Sequence, residues 1–284
     1  MEKINCLICN SESSKKFISL KDRFNTTNEV FSIVKCLCGF VYLNPRPGDK
    51  DILKYYNTNK YDPHNKVGLL YRIVQKISFF WKISVIKKIF NKKEINVLDY
   101  GAGKGDFAYY LNKKKYKIDI YEPILNNRNF NDSIKLYSNN KDIKTSYDLI
   151  TFWHSLEHIH DIDNLFDIIQ NILKNDGFLF IAVPNLNAIE RTYFGKNWAA
   201  YDAPRHLYHF NYQSMSKMLD KYNFEIVDSK TMYQDTPYNI FLSFNTKSFS
   251  SYFKLLYYSI ISLFKILFIN REVASSVLYI CKRK

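Results

Sequence analysis

The sequence predicts an α/β fold, a doubly wound parallel sheet preceded by a small metal-binding module. Three observations carry that reading. Strand-like and helix-like patterns alternate from Ile95 to Ser229; three of the eight glycines, Gly101, Gly103 and Gly105, sit within five residues; and four of the five cysteines fall in the first 38 residues. Strands separated by helical stretches imply right-handed crossovers and therefore a parallel sheet. At 284 residues and 46% hydrophobic composition, the chain is long enough for one large core with an appendage.

Residues 1–48 form the cysteine-bearing module, which closes in the turn-rich "LNPRPG". Cys6 and Cys9 lie in a C-x2-C spacing, and after 26 intervening residues Cys36 and Cys38 lie in the tighter C-x-C spacing. Four thiolates are the number that a closed tetrahedral zinc site takes. The N-terminal "MEKINCLICN" lacks the apolar core of a secretion signal, so a cytoplasmic setting is expected, where clustered thiols hold a metal more often than a disulfide. A helical linker is predicted over 49–93, on the spacing of Leu70, Ile73, Val74, Ile77, Trp81, Val85 and Ile89.

The main domain, 94–284, then alternates. "INVLDY" reads as a buried strand, "GDFAYYLNKK" as a helix, and "YKIDIYE" and "SYDLITFW" as strands. Next come the helix "IDNLFDIIQNILK", the strand "GFLFIAVPN", the helix "SMSKMLDKYN" and the strand "FEIVDSKTMY". An aromatic, basic helical insertion is expected over about 233–273, and "ASSVLYICKRK" closes as a last strand.

In such a sheet the ligand sits at the carboxyl ends of the strands, and the first strand-to-helix turn carries the glycines. A dinucleotide turn, G-x-G-x-x-G, would want glycine where Asp106 stands; here the run is G-x-G-x-G after Asp99. An acid before the turn suits a ligand with positive charge. Glu122, about 20 residues on, can accept both hydroxyls of an adenosine ribose.

"VLDYGAGKGDF", "IYEP", "YDLITFWHSLEHIHD" and "GFLFIAVPN", in that order, resemble the motifs of class I S-adenosylmethionine-dependent methyltransferases over about Glu94 to Ser229. The resemblance implies a seven-stranded, mostly parallel Rossmann-like sheet whose last strand is antiparallel. It places Asp99, Gly101 and Gly103 at the methionine end of S-adenosyl-L-methionine, Glu122 at the ribose, and the main chain of Trp153 and His154 along the cofactor. "CLICN" and "VKCLCGFVYLNPRP" before such a domain resemble bacterial methyltransferases with an N-terminal zinc-binding module, found in deoxysugar and surface-polysaccharide pathways. Glu157 and His158 read either as a capping pair at a helix start or as catalytic groups.

Methyl transfer from a sulfonium is an in-line displacement, so the protein aligns the acceptor and takes its proton. The polar, aromatic "GKNWAAYDAPRHLYHF" (Gly195 to Phe210) follows the strand ending at Val183 and Pro184 and is expected to face the substrate. "PRHLYHF" resembles the loop of zinc-bearing sugar C-methyltransferases, which implies His206 as base. His209, Tyr201 and Tyr208 stand as alternatives. Those enzymes carry a tyrosine and a glutamate where this chain has Ala203 and Arg205, so methylation of a hydroxyl or amine is the stronger expectation and Arg205 a candidate anchor for a substrate phosphate or carboxylate.

The formal charge of +14 is concentrated. Lys66 to Lys93 holds eight bases and no acid, and Tyr238 to Lys284 seven bases and one acid, which together account for the whole excess. Both stretches interleave bases with large aromatics, the first through Arg72, Lys76, Lys82, Lys87 and Lys88, the second through Lys247, Lys254 and Lys265. That pattern suits an anionic membrane surface, and with it a lipid-linked sugar acceptor at the inner face of the membrane. The longest apolar tract, Leu255 to Ile269, contains Lys265 and is shorter than the ~20 residues a span requires. The rival readings are an RNA-binding protein or RNA methyltransferase, a nicotinamide oxidoreductase, and a catalytically silent homologue that keeps only the cofactor pocket. No Asn/Asp-Pro-Pro-aromatic motif follows the fourth strand, which disfavours amino-methylation of nucleic-acid bases, and Asp106 disfavours the oxidoreductase.

Overall fold

A computed structural model describes residues 1–56, 69–91, 94–124, 133–244 and 249–284. The parts of the linker at 57–68 and 92–93 and of the insertion at 245–248, including Lys66 and Lys247, lie outside the described residues.

The N-terminal module contributes β1 (Ser14–Lys21), β2 (Val30–Cys36) and β3 (Val41–Leu43), followed by helix α1 (Leu69–Ile89). The alternating region comprises β4 (Asn96–Tyr100), α2 (Asp106–Lys113), β5 (Lys117–Tyr121), β6 (Leu136–Tyr137), β7 (Tyr147–Trp153), α3 (Ile162–Ile172) and β8 (Leu173–Pro184). Then come α4 (Glu190–Phe194), β9 (Tyr208–His209), α5 (Tyr212–Lys221), β10 (Phe224–Thr231), α6 (Asp235–Ser243), α7 (Phe249–Phe268) and β11 (Ser276–Arg283). Helix starts are fixed locally: Asp161 accepts from the Asn164 N–H at 3.0 Å, and Asn211 and Ser214 cap α5 reciprocally.

The seven-stranded sheet runs β10-β11-β8-β7-β4-β5-β6. β4 pairs in parallel with β5 and β7, and β7 with β8, whereas β11 is antiparallel to both of its neighbours, as expected of the closing strand. Its central strands are buried on both faces. One face packs α3 and α5, through Leu165, Phe166, Ile169 and Met215, into a core shared with the N-terminal module. The other packs α1 and α2, through Ile83, Ile86, Phe107 and Leu111. The chain reverses its direction of winding beside β4, so the loops after β4 and β7 open at one crevice.

The N-terminal module is built into this domain rather than appended to it. Its sheet runs β1-β2-β3-β9, and the fourth strand comes from the loop predicted to face the substrate, with Val41 opposite His209 and Tyr42 opposite Tyr208. Arg46 adds a second tie: its guanidinium donates to Glu2 at 2.7 Å and to the Tyr208 hydroxyl at 2.8 Å.

Candidate active site

The glycine turn leaves β4 with Gly101, Gly103 and Gly105 all in the left-handed region, at φ 74°, 57° and 69°. Such angles strain any residue with a Cβ, which accounts for three glycines in five residues. The Gly101 N–H donates to the Tyr121 carbonyl at 2.8 Å, and a Cβ on Gly101 would stand 2.6 Å from that of Ser155. A side chain there would therefore strike the segment after β7 and not the methionine site. Gly103 has open space within 4 Å, and its N–H donates to Glu122 Oε2 at 2.7 Å. Glu122 also accepts from the Ile124 N–H at 3.1 Å, so its carboxylate is fixed at the end of β5, where a ribose is expected.

Asp99 is 3% exposed and accepts from Thr151 Oγ1 at 2.7 Å. Burial pushes its carboxyl up to about 6, against the pull of Thr151 and Lys82. Lys82 on α1 is buried beneath the turn. Its ammonium lies 4.1 Å from the Trp153 ring centroid and 4.9 Å from that of Phe107, and burial pushes it down to about 8 while Asp99 and Asp235 pull it back up. Lys82 is thus a support of the turn and not one of the exposed bases that the sequence pattern counted. Trp153 stacks edge-on against Phe107 at 5.5 Å.

At the end of β7 the chain turns through His154, which sits at φ 56° with its N–H on the Ala182 carbonyl. Its ring bridges two acids, Asp235 at 3.0 Å and Glu157 at 3.7 Å. Burial opposes the imidazolium, but the two carboxylates outweigh it and hold His154 at about 9. Glu157 is 1% exposed, and neither of its oxygens has a hydrogen-bond donor. Burial works against its charge, yet the neighbouring histidines, the His154 ring first, outweigh that and hold the carboxyl at about 2.

His158 and His206 complete the group. Their rings meet edge-on at 4.7 Å, and ligand atoms of Glu157, His158 and His206 lie within 4.8 Å of one another. His206 Nδ1 is 2.8 Å from the Ala200 carbonyl, and His158 Nδ1 is 3.1 Å from the Arg205 carbonyl and 2.9 Å from the Tyr56 hydroxyl. A carbonyl only accepts, so both Nδ1 atoms carry hydrogen, and in the neutral ring Nε2 keeps the lone pair. Burial, then His206, pushes His158 down to about 4, which keeps it neutral. The site therefore gathers two imidazole lone pairs and one carboxylate, all acceptors. Of the alternatives to His206, Tyr208 is held by Arg46 and by the His160 carbonyl, while His209 and Tyr201 are buried against each other.

Arg205 does not anchor substrate. It is 0% exposed, donates to Asp202 and Asp22 at 2.7 to 2.9 Å and to the Tyr55 carbonyl at 3.2 Å, and lies over Phe24. That pairing clamps the loop in which His206 stands to the N-terminal module.

The four predicted cysteines also meet. Cys6 and Cys38 approach to 3.5 Å between sulfurs, Cys9 and Cys36 to 3.4 Å, and all four lie within 4.8 Å. Each pair is followed by a left-handed residue, Asn10 (φ 55°) or Gly39 (φ 96°), which turns the chain back over the sulfurs.

The family described as "Methyltransferase domain" matches residues 69–229, more than half of the chain. The chain belongs to that methyltransferase family. It is an S-adenosylmethionine-dependent enzyme with the class I Rossmann-like sheet. Among solved structures, a protein of Galdieria sulphuraria assigned as a sarcosine dimethylglycine methyltransferase is 14% identical, with 74% of this chain and 86% of that one covered and a TM-score of 0.50. The 1,6-didemethyltoxoflavin-N1-methyltransferase of Burkholderia thailandensis, solved with S-adenosylhomocysteine, is 11% identical over 89% of this chain and 96% of that one, with a TM-score of 0.44. Phosphoethanolamine N-methyltransferase 2 of Haemonchus contortus, solved with S-adenosyl-L-methionine, is 15% identical over 71% and 52%, with a TM-score of 0.47. No curated protein matches the sequence.

For this methyltransferase the turn geometry separates two kinds of variant. Gly103→Val and Glu122→Ala are expected to weaken S-adenosylmethionine binding on the order of 10-fold or more, since a charge-assisted hydrogen bond contributes ~1.5 to 3 kcal/mol. Gly101→Val is expected to lower the melting temperature further than Gly103→Val, because its Cβ meets Ser155 in addition to the backbone strain the two share. Calorimetry and thermal melts on the three variants check this. Wild-type affinity in both Gly103→Val and Glu122→Ala would remove the cofactor from the turn.

Proposed function

We propose that the enzyme methylates a hydroxyl or amine of a sugar-like acceptor, either a nucleotide sugar or a lipid-linked glycan precursor. One observation carries the acceptor chemistry: ligand atoms of Glu157, His158 and His206 lie within 4.8 Å of one another, with Glu157 buried and its His154 partner at 3.7 Å, beyond hydrogen-bond distance. A ligand that brings O–H or N–H groups satisfies them, whereas a phosphate or carboxylate would be repelled. The point lies two residues beyond Ser155, which touches the glycine turn, so it adjoins the cofactor end of the crevice. The sugar class rests on the resemblance of the cysteine module and of "PRHLYHF" to enzymes of surface-polysaccharide pathways.

S-adenosylmethionine, when bound, supplies a methyl group already activated on a sulfonium. Asp99, Gly103 and Glu122 would hold it. His206 Nε2 would take the proton that the acceptor oxygen or nitrogen gives up on methylation. Glu157 stabilises the imidazolium that results, and the Ala200 carbonyl keeps the ring turned. The four cysteines fit a structural zinc: a tetrahedral site with zinc–sulfur bonds of ~2.3 Å places its sulfurs ~3.8 Å apart, close to the separations found here. The reduced thiols fit a cytoplasmic enzyme.

Incubation of the enzyme with methyl-labelled S-adenosylmethionine and a panel of sugars, nucleotide sugars and lipid-linked glycans tests the reading. Label is expected in an acceptor bearing free hydroxyl or amino groups and not in its fully blocked analogue. Label only in RNA or protein would overturn it.

A further inference from the structure

Helix α7 is packed with its polar side inward. Ser259 and Ser262 are buried together with Ile266, while Leu256, Tyr257, Ile260, Phe264, Leu267 and Phe268 are 49 to 74% exposed. Their spacing places them along one side of the helix over more than three turns. Six such side chains present an apolar surface on the order of 600 Å², at the upper end of what a soluble monomer carries in one patch, where such patches are often functional. Core packing does not call for this arrangement, because the residues best suited to a core are those facing out.

The charges beside the patch select its occupant. α7 carries Lys254 and Lys265 and no acid, and Arg271 follows it. Lys265 lies over the Tyr193 ring and Lys82 is buried, so neither takes part. Lys254 and Arg271 remain exposed near the two ends of the stripe. A second copy of the chain would bring Lys254 towards bases with no acid on the helix to pair them, the nearest acid in sequence being the exposed Glu272 beside Arg271. An anionic surface of lipid headgroups complements both the charge and the apolar side chains. Among the described residues no helix is long and apolar enough to cross a membrane, so α7 would lie in the interface.

We infer that the outward face of α7 docks on an anionic lipid surface, with Leu256, Ile260, Phe264 and Phe268 entering the headgroup boundary and Lys254 and Arg271 on the headgroups. This inference stands apart from the acceptor chemistry. It narrows that reading towards a lipid-linked acceptor if both hold.

The test is co-sedimentation of the full chain with phosphatidylcholine vesicles, with and without phosphatidylglycerol, at low and high salt. Binding is expected with phosphatidylglycerol at low salt and is expected to weaken as salt rises. Phe264→Ser with Phe268→Ser should reduce the partition coefficient ~10-fold or more, and Lys254→Glu several-fold. Far-ultraviolet circular dichroism and S-adenosylmethionine affinity of the same variants should match wild type, which keeps this test separate from the catalytic one. Protein left in the supernatant with anionic vesicles at low salt overturns the inference. So does a dimer, seen by light scattering, that the same serine substitutions dissociate.

Discussion

His206→Ala is expected to lower methyl transfer by ~10² to 10⁴-fold while S-adenosylmethionine affinity is retained. The geometry singles out this histidine. Its Nδ1 hydrogen is held by the Ala200 carbonyl, which leaves Nε2 as the nitrogen available to act as base, and it is the partly exposed member of a loop whose other residues from Tyr201 to Phe210 are buried. Glu157, which also faces the His154 ring at 3.7 Å, lies alongside and would stabilise the protonated ring. Glu157→Gln keeps the shape, removes the charge, and is expected to give a smaller loss, roughly 10- to 100-fold, with a shifted pH–rate profile. The measurement is turnover under saturating cofactor with the acceptor found by labelling. A His206→Ala rate within about 3-fold of wild type would leave the histidine a tie between the loop and Ala200, and the proton would have to go elsewhere.

The parts of this site that were legible in the sequence are those written in local spacing. Three glycines behind an acid, and Glu122 after the next strand, needed no tertiary information, because a turn that demands left-handed angles restricts its own residues. The cysteines were legible for the same reason, and the C-x-C half closes as well as the C-x2-C half because Gly39 supplies the turn. Lys82 was not legible. Helical spacing shows that a lysine lies near Ile83 and Ile86, but only the packing of α1 on α2 turns its ammonium onto Trp153 and Phe107. Arg205 was misread because its partner Asp22 stands 183 residues away, and the arginine is spent on the carboxylates of Asp22 and Asp202. β6 and β9 are two residues each, too short for any periodicity, and β9 exists only because β3 is there to pair with it.

That pairing would tie the proposed zinc to catalysis. One zinc per chain is expected on Cys6, Cys9, Cys36 and Cys38, and its removal is expected to lower the melting temperature by about 10 °C or more, given the large share of folding energy that structural zinc supplies to small modules. Cys36 is the last residue of β2, Gly39 turns the chain into Phe40, and Val41 and Tyr42 of β3 then pair with His209 and Tyr208. Arg205 reaches back from the same loop to Asp22, just past β1. Loss of the metal therefore loosens both sides of His206, and turnover should fall with zinc content although no cysteine lies in the acceptor group. Metal analysis, thermal melts and turnover on wild type, on chelator-treated protein and on Cys36→Ser test this together. The expected outcome is parallel loss of zinc, melting temperature and rate, with partial recovery when zinc is returned to the chelated wild type. Four freely titratable thiols in freshly purified, fully active enzyme would show instead that the module holds the loop through its strand pairing and the Arg205 clamp without a metal.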